Sequence, residues 1–194
     1  ISQLPQIYME FGIDTCLFYR GINQKMAPKS EFVWEGADGS QVLASRMSRQ
    51  PRYNYYMNVW RKGLYHDQEA RLDRRYDWRS GQLPFRICDE ETRFDHGSIL
   101  KRRRNLNSDV VRRELRALFE REKKTFRTSE LAFMHGFDTS APELLEDEVL
   151  RLCRTMLEEG ESLFYSSLPK YMKALKKALK RVELPVLRGE MKYP

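Results

Sequence analysis

The chain has 194 residues, 41% of them apolar and 32% charged, with a formal net charge of +7. This length suits one domain or a piece of one. No apolar run approaches the ~20 residues that cross a bilayer, and the opening ISQLPQIYMEF lacks the basic and apolar regions of a secretory leader. The three cysteines, Cys16, Cys88 and Cys153, are odd in number, far apart and without a Cys-x-x-Cys pair, which argues against a structural zinc site. Cys16 and Cys153 sit in apolar patterns, so reduced thiols and a cytoplasmic setting are expected.

In chain order, SQLPQIYMEFGI predicts a short helix with Ser2 as its cap, Pro5 in its first turn and Gly12 at its end. TCLFY predicts a buried strand. EFVWEGADGSQVLASRM predicts a hairpin, with Asp38-Gly39 as its turn. Residues 49–105 are rich in Tyr, Arg and Asp and poor in periodicity, and predict a long irregular excursion with one short helix around 66–74. NSDVVRRELRALFEREKKT then predicts a helix capped by Ser108, with Val111, Leu115 and Leu118 on one face.

ELAFM predicts the next strand. SAPELLEDEVLRLCRTMLEE predicts a helix with capping-box spacing between Ser140 and Glu143. SLFYS predicts a third buried strand, SLPKYMKALKKALKRV a third long helix, and LPVLRGE a closing strand. This alternation of helix and strand implies an α/β fold with parallel strands, joined by right-handed crossovers and covered by helices. Function in such sheets gathers at the carboxyl ends of the strands. Arg20, after TCLFY, and Asp138, after ELAFM, are both expected on that edge.

The chain begins without Met inside an amphipathic pattern and stops at VLRGEMKYP without a tapering tail. A piece of a longer protein is therefore expected, with part of any active site lying elsewhere in the polypeptide.

SQLPQIYMEFGIDTCLFYRGI followed by EFVWEGADGSQVLASRM resembles the catalytic domain of glycoside hydrolase family 38, the α-mannosidases. MHGFDTSAPE, FYSSLPKYMKAL and VLRGEMKYP keep the order of that family, so the resemblance runs over residues 1–194 as one partial catalytic domain. It implies the later part of a distorted barrel of seven parallel strands. It implies retaining hydrolysis of terminal α-mannosides through a covalent glycosyl-enzyme intermediate, with zinc holding the hydroxyls of the sugar. The family's zinc ligands, the nucleophilic Asp among them, fall outside this chain, so no metal ligand is expected within it. Asp138, in HGFD, matches the general acid/base. Arg20, in FYRG, matches an arginine near the nucleophile. Tyr53, in PRYNYY, matches a tyrosine that contacts the sugar, and Asn54 stands where a sugar-binding Asp is often found. The implied partners are a mannose-containing glycan and the remainder of the polypeptide.

The chemistry asks for two carboxyl groups roughly 5–5.5 Å apart, one attacking the anomeric carbon and one shuttling a proton. A partly buried carboxyl beside a second negative group stays protonated near neutral pH, as the acid must. Asp138 also suits an ordinary aspartate near a helix start. Arg20 suits either a charge-assisted bond to a carboxylate or a surface loop, and Tyr53 and Tyr55 suit sugar contact or loop packing. Trp34 reads as an apolar anchor of the hairpin. His135 reads as a loop histidine or an indirect neighbour of the acid, and His66 and His96 carry no pattern. A non-catalytic carbohydrate-binding or scaffold piece is the alternative. A nucleic-acid-binding domain is disfavoured, because the lysines of KALKKALKR fill the solvated face of an amphipathic helix and KRRRN lacks an accompanying motif.

Overall fold

The computed structural model of the protein describes residues 2–47, 52–65, 92–95, 98–101, 106–136 and 145–192. Its contacts divide the chain into two units. One comprises Ile1–Arg52, Phe119–Ala132 and Tyr165–Pro194, and is called here the sheet unit. The other comprises Tyr53–Leu118 and Phe133–Phe164, and is called the aromatic unit.

The sheet unit is built on four strands, β1 (Thr15–Phe18), β2 (Glu31–Glu35), β3 (Gln41–Arg46) and β6 (Val186–Arg188), in the order β1-β3-β2-β6. β1 and β3 are parallel, β2 and β6 are parallel, and β2 and β3 form the antiparallel hairpin predicted for them. Gly39 takes φ +87°, and Asp38 accepts from the Ser40 N–H at 3.1 Å, so the Asp-Gly pair turns the chain as expected.

Alternation along the strands sends side chains to two opposite faces. Phe32, Trp34, Val42 and Ala44 join Cys16 and Phe18 in one cluster, which helix α1 (Leu4–Glu10) covers with Leu4 and Tyr8. Leu17 and Leu43 point the other way, onto Met172, Leu175 and Leu179 of and just after helix α5 (Leu168–Ala178). The unit is thus a mixed sheet with a helix on each face. Arg46 is buried, and its guanidinium pins the loop after β1 by donating to the carbonyls of Ile22 (3.1 Å) and Ala27 (3.2 Å).

In the aromatic unit, a π-helical turn (Tyr56–Trp60) runs into α2 (Arg61–Tyr65). These residues fall in the stretch predicted to be irregular, yet Tyr55, Tyr56, Val59, Trp60 and Leu64 are all buried. Gly63 lets α2 lie against α3 (Ser108–Thr125), because a Cβ there would meet Val111 Cγ2 at 2.5 Å. The first eleven residues of α3 belong to this unit and the rest to the sheet unit. Helix α4 (Glu146–Arg154) contributes Val149, Leu150 and Cys153 to the buried set. A two-stranded ladder pairs β4 (Thr92–Asp95) with β5 (Ser98–Lys101).

Several local expectations are corrected. Helix α3 is capped by Asn107, whose Oδ1 accepts from the N–H groups of Asp109 and Val110 at 3.1 Å each, and Ser108 is its first residue. Helix α1 has no side-chain cap, and the Ser2 carbonyl instead accepts from the Ala37 N–H at 3.2 Å. ELAFM and SLFYS form no ladder. The Met134 N–H goes to the Asn54 side chain, and Arg154 Nε holds the Leu163 carbonyl at 2.8 Å, leaving Phe164 and Tyr165 63% and 56% exposed. The helix expected at 66–74 and the capping box of Ser140 and Glu143 lie outside the described residues.

Candidate active site

The sheet unit places one predicted residue on a strand's carboxyl edge. Arg20 is exposed two residues past the end of β1. β3 runs parallel to β1, so its carboxyl end lies on the same edge, and the Met47 N–H donates to the Phe18 carbonyl there at 2.8 Å. Arg52 returns to this edge, with its guanidinium carbon 5.7 Å from the centre of the Tyr19 ring. β2 and β6 run the other way, so Arg188 and Glu190 fall on the opposite edge. Gly21 turns the chain straight after Arg20 at φ +106°, and a Cβ there would lie 2.6 Å from the Met191 carbonyl oxygen.

The aromatic unit holds the other described candidates. Tyr53 is half-buried, and its carbonyl accepts from the Met57 N–H at 2.9 Å. Asn54 is fully buried. Its Oδ1 accepts from the N–H of Met134 at 2.7 Å and from that of Tyr55 at 2.9 Å. His135 lies among three rings, those of Tyr55, Tyr56 and Trp60, at centroid distances of 5.6, 5.6 and 5.8 Å in edge-to-face arrangements. Tyr56 and Trp60 stack on each other at 5.1 Å, one π-helical turn apart. Among the described residues neither His135 ring nitrogen has a hydrogen-bond partner, and the Glu146 carboxylate is 3.6 Å from Nε2. Burial pushes the His135 pKa down, and Glu146 partly opposes the shift.

The Glycosyl hydrolases family 38 N-terminal domain matches residues 1–190. The chain belongs to that family.

Among solved structures, the family 38 chain is similar to an alpha-mannosidase from Enterococcus faecalis V583, with a TM-score of 0.63 and 15% sequence identity. The match covers 98% of this chain and 16% of that one, so it carries the fold and spans about a sixth of the relative's length. Comparison with curated proteins found no match.

Within the family frame, Asp138 lies outside the described residues, two positions after Gly136. Among the described residues, no three His, Cys, Asp or Glu side chains gather where they could hold a metal ion. No described helix is long and apolar enough to cross a membrane. Sequence reasoning missed the enclosure of His135 and the use of the Asn54 side chain on backbone. The available signal was Tyr56-x-x-x-Trp60, an aromatic pair at helical spacing inside a stretch without longer periodicity.

Proposed function

We propose that this chain is the later part of the barrel in a retaining α-mannosidase, a hydrolase of terminal α-mannosides. The family match over residues 1–190 carries the reading. The edge strand β1 and the exposed Ile7, Met9, Phe11 and Ile13 suit the packing of further strands of a seven-stranded barrel. The substrate class is a mannose-containing glycan, and the remainder of the polypeptide supplies the nucleophilic carboxylate.

In this reading the nucleophile attacks the anomeric carbon while Asp138 gives its proton to the leaving oxygen. Asp138 then takes a proton from the water that opens the covalent intermediate. Arg20, exposed on the edge where parallel sheets carry function, orients the nucleophile through charge-assisted hydrogen bonds. Tyr53 presents its ring and hydroxyl to the sugar. Zinc belongs to the whole enzyme as a cofactor that holds sugar hydroxyls. Its ligands lie beyond this chain. A reducing, cytoplasmic setting accords with the unpaired thiols of Cys16 and Cys153, the first pushed up to a pKa of about 12 by burial and so unreactive.

The test is Asp138→Asn in the full-length enzyme. Turnover of an alkyl α-mannoside, a poor leaving group, should fall by about 10²–10⁴-fold. Glycosylation by an activated aryl α-mannoside should suffer far less, and its covalent intermediate should accumulate. Near-wild-type turnover of the alkyl substrate would remove the acid/base assignment.

A further inference from the structure

Arg20 stands between two anchored carbonyls. Two residues before it, the Phe18 carbonyl accepts from the Met47 N–H at 2.8 Å. Two residues after it, the Ile22 carbonyl accepts from Arg46 Nη1 at 3.1 Å. The other arm of the same guanidinium donates to the Ala27 carbonyl at 3.2 Å, so one fork holds both ends of the loop at residues 22–27. Inside that loop the Asn23 side-chain oxygen accepts from the N–H groups of Lys25 (3.1 Å) and Met26 (3.2 Å), and the Ala27 N–H donates to the Asn23 carbonyl at 3.1 Å. The loop is thus one closed turn with Arg46 across its base.

Arg46 and Met47 are consecutive, at and just past the carboxyl end of β3, and they grip the chain on either side of Arg20. Arg46 is 5% exposed, on the face of β3 that also carries Val42 and Ala44, and Ile22 and Ala27 are buried in the same cluster as those two. Burying a guanidinium costs more than burying an apolar side chain of similar length. What the arginine adds here is its planar fork, whose fixed geometry reaches two carbonyls at once. Gly21, tight against the Met191 carbonyl, restrains the same stretch from a third side.

We propose that Arg46 is a positioning residue for Arg20, acting through the backbone of residues 20–22. The inference rests on the mannosidase reading above, in which Arg20 orients the nucleophilic carboxylate. A charge-assisted hydrogen bond holds only over a narrow range of distance and angle. Misplacement of a catalytic group by about 1 Å can cost about 10²-fold in rate. Without the fork, the Ile22 carbonyl loses this donor, and the chain just past Arg20 is free to shift.

The experiment uses the full-length enzyme with Arg20→Met, Arg46→Met and the double variant. All are assayed on an activated aryl α-mannoside, below the melting temperature of the least stable. On this substrate kcat/KM reports attack by the nucleophile. Each single variant should lose about 10–10²-fold. The double variant should fall no more than about twofold below Arg20→Met, because a residue that works only through Arg20 then has nothing left to position. A merely structural Arg46 would cost the same factor in both backgrounds, and such additive losses would overturn the inference. So would wild-type kcat/KM in Arg46→Met. If Arg46→Met fails to fold, Arg46→Lys keeps the charge and the stem without the fork, and the same cycle decides. Arg20→Met separates the two levels. Wild-type kcat/KM in that variant removes the role of Arg20, and the inference with it. A loss there, together with additive losses in the cycle, removes only the positioning role.

Discussion

The sheet unit and the aromatic unit satisfy their backbones in different ways. In the sheet unit, main-chain groups mostly meet other main-chain groups across the ladders of β1, β3, β2 and β6, and Val33 extends the pattern by donating to the Pro185 carbonyl at 2.9 Å. In the aromatic unit, side chains do much of this work. Asn54 takes the Met134 N–H, Asn107 caps α3, Arg116 donates to the Met156 carbonyl at 3.1 Å, and Arg154 donates to that of Leu163. Buried peptide groups must be paired in either case. A ladder pairs them through any residues that alternate correctly. A side-chain grip pairs them through one particular residue, so a single substitution there is felt more directly.

Glycine makes the largest break in this comparison. Gly21 and Gly136 have nearly the same backbone, φ +106° and +99°. Alanine at either position carries the strain of a left-handed conformation, about 1–3 kcal/mol. Gly21→Ala adds a clash with the Met191 carbonyl oxygen, whereas among the described residues nothing lies within 4 Å of a Cβ at Gly136. Overpacking of this kind adds about 1–3 kcal/mol. Gly21→Ala should therefore lower stability in urea unfolding by clearly more than Gly136→Ala. Equal losses would mean that the Met191 segment yields freely, and that the sheet unit is less rigid than its ladders imply.

Acidification should pull the two units in opposite directions. His135 has its pKa lowered by burial, so the unfolded chain takes up that proton first as pH falls. Its contribution to stability is full above the ordinary histidine value of about 6.5 and is lost as pH drops towards the folded pKa. Glu31, the first residue of β2, is fully buried, and desolvation raises its pKa although both carboxylate oxygens accept from the Arg127 N–H, at 3.2 and 3.0 Å. Here the folded chain takes the proton first, and stability is gained as pH falls through the folded pKa towards the ordinary value. Between about pH 7 and 5, across the ordinary histidine value, His135→Gln should thus lose less melting temperature than the wild type. Glu31→Gln should lose more than the wild type as pH falls towards the ordinary glutamate value, where Glu31, with its raised pKa, takes up its proton. Changes of the same sign in both variants would contradict the assignment of opposite shifts.

The same contrast explains what could be read from the sequence. TCLF, EFVWE and QVLASR were legible as strands from their apolar content, and the Asp-Gly turn gave the hairpin that joins the last two. The helices α3 and α5 were legible from their apolar stripes. The caps were not, because Asn107 and Ser108 are equally good capping residues and only geometry chooses between them. ELAFM has the composition of a strand, but composition cannot reveal that Asn54, eighty positions earlier, takes the hydrogen bond a neighbouring strand would take. Arg20 was legible as an edge residue because β1 was. The enclosure of His135 was not, since it depends on a π-helical turn with no periodic signature.

The smallest expected effect sharpens the comparison from the side of the sheet unit. Asp14 enters β1, and its carbonyl accepts from the Leu43 N–H at 2.9 Å, while its carboxylate is bonded to Lys176 on α5. The two side chains are 54% and 47% exposed. Water screens such a pair and holding two side chains together costs entropy, so the pair contributes at most about 1 kcal/mol. Lys176→Met keeps the apolar stem against the sheet and removes only the charge. The Asp14 carbonyl keeps its ladder bond, and Leu175 beside it stays fully buried. The aromatic unit offers the contrast. There Arg116, 27% exposed, bridges the 14% exposed Glu161 at 2.7 Å while also holding the Met156 carbonyl, so its charge serves backbone as well. Lys176→Met should therefore shift the urea midpoint only slightly, and the shift should vanish in high salt, where the pair is already screened. A large, salt-independent loss would show that the Asp14–Lys176 pair holds β1 in place, and that the sheet unit also depends on an individual side chain.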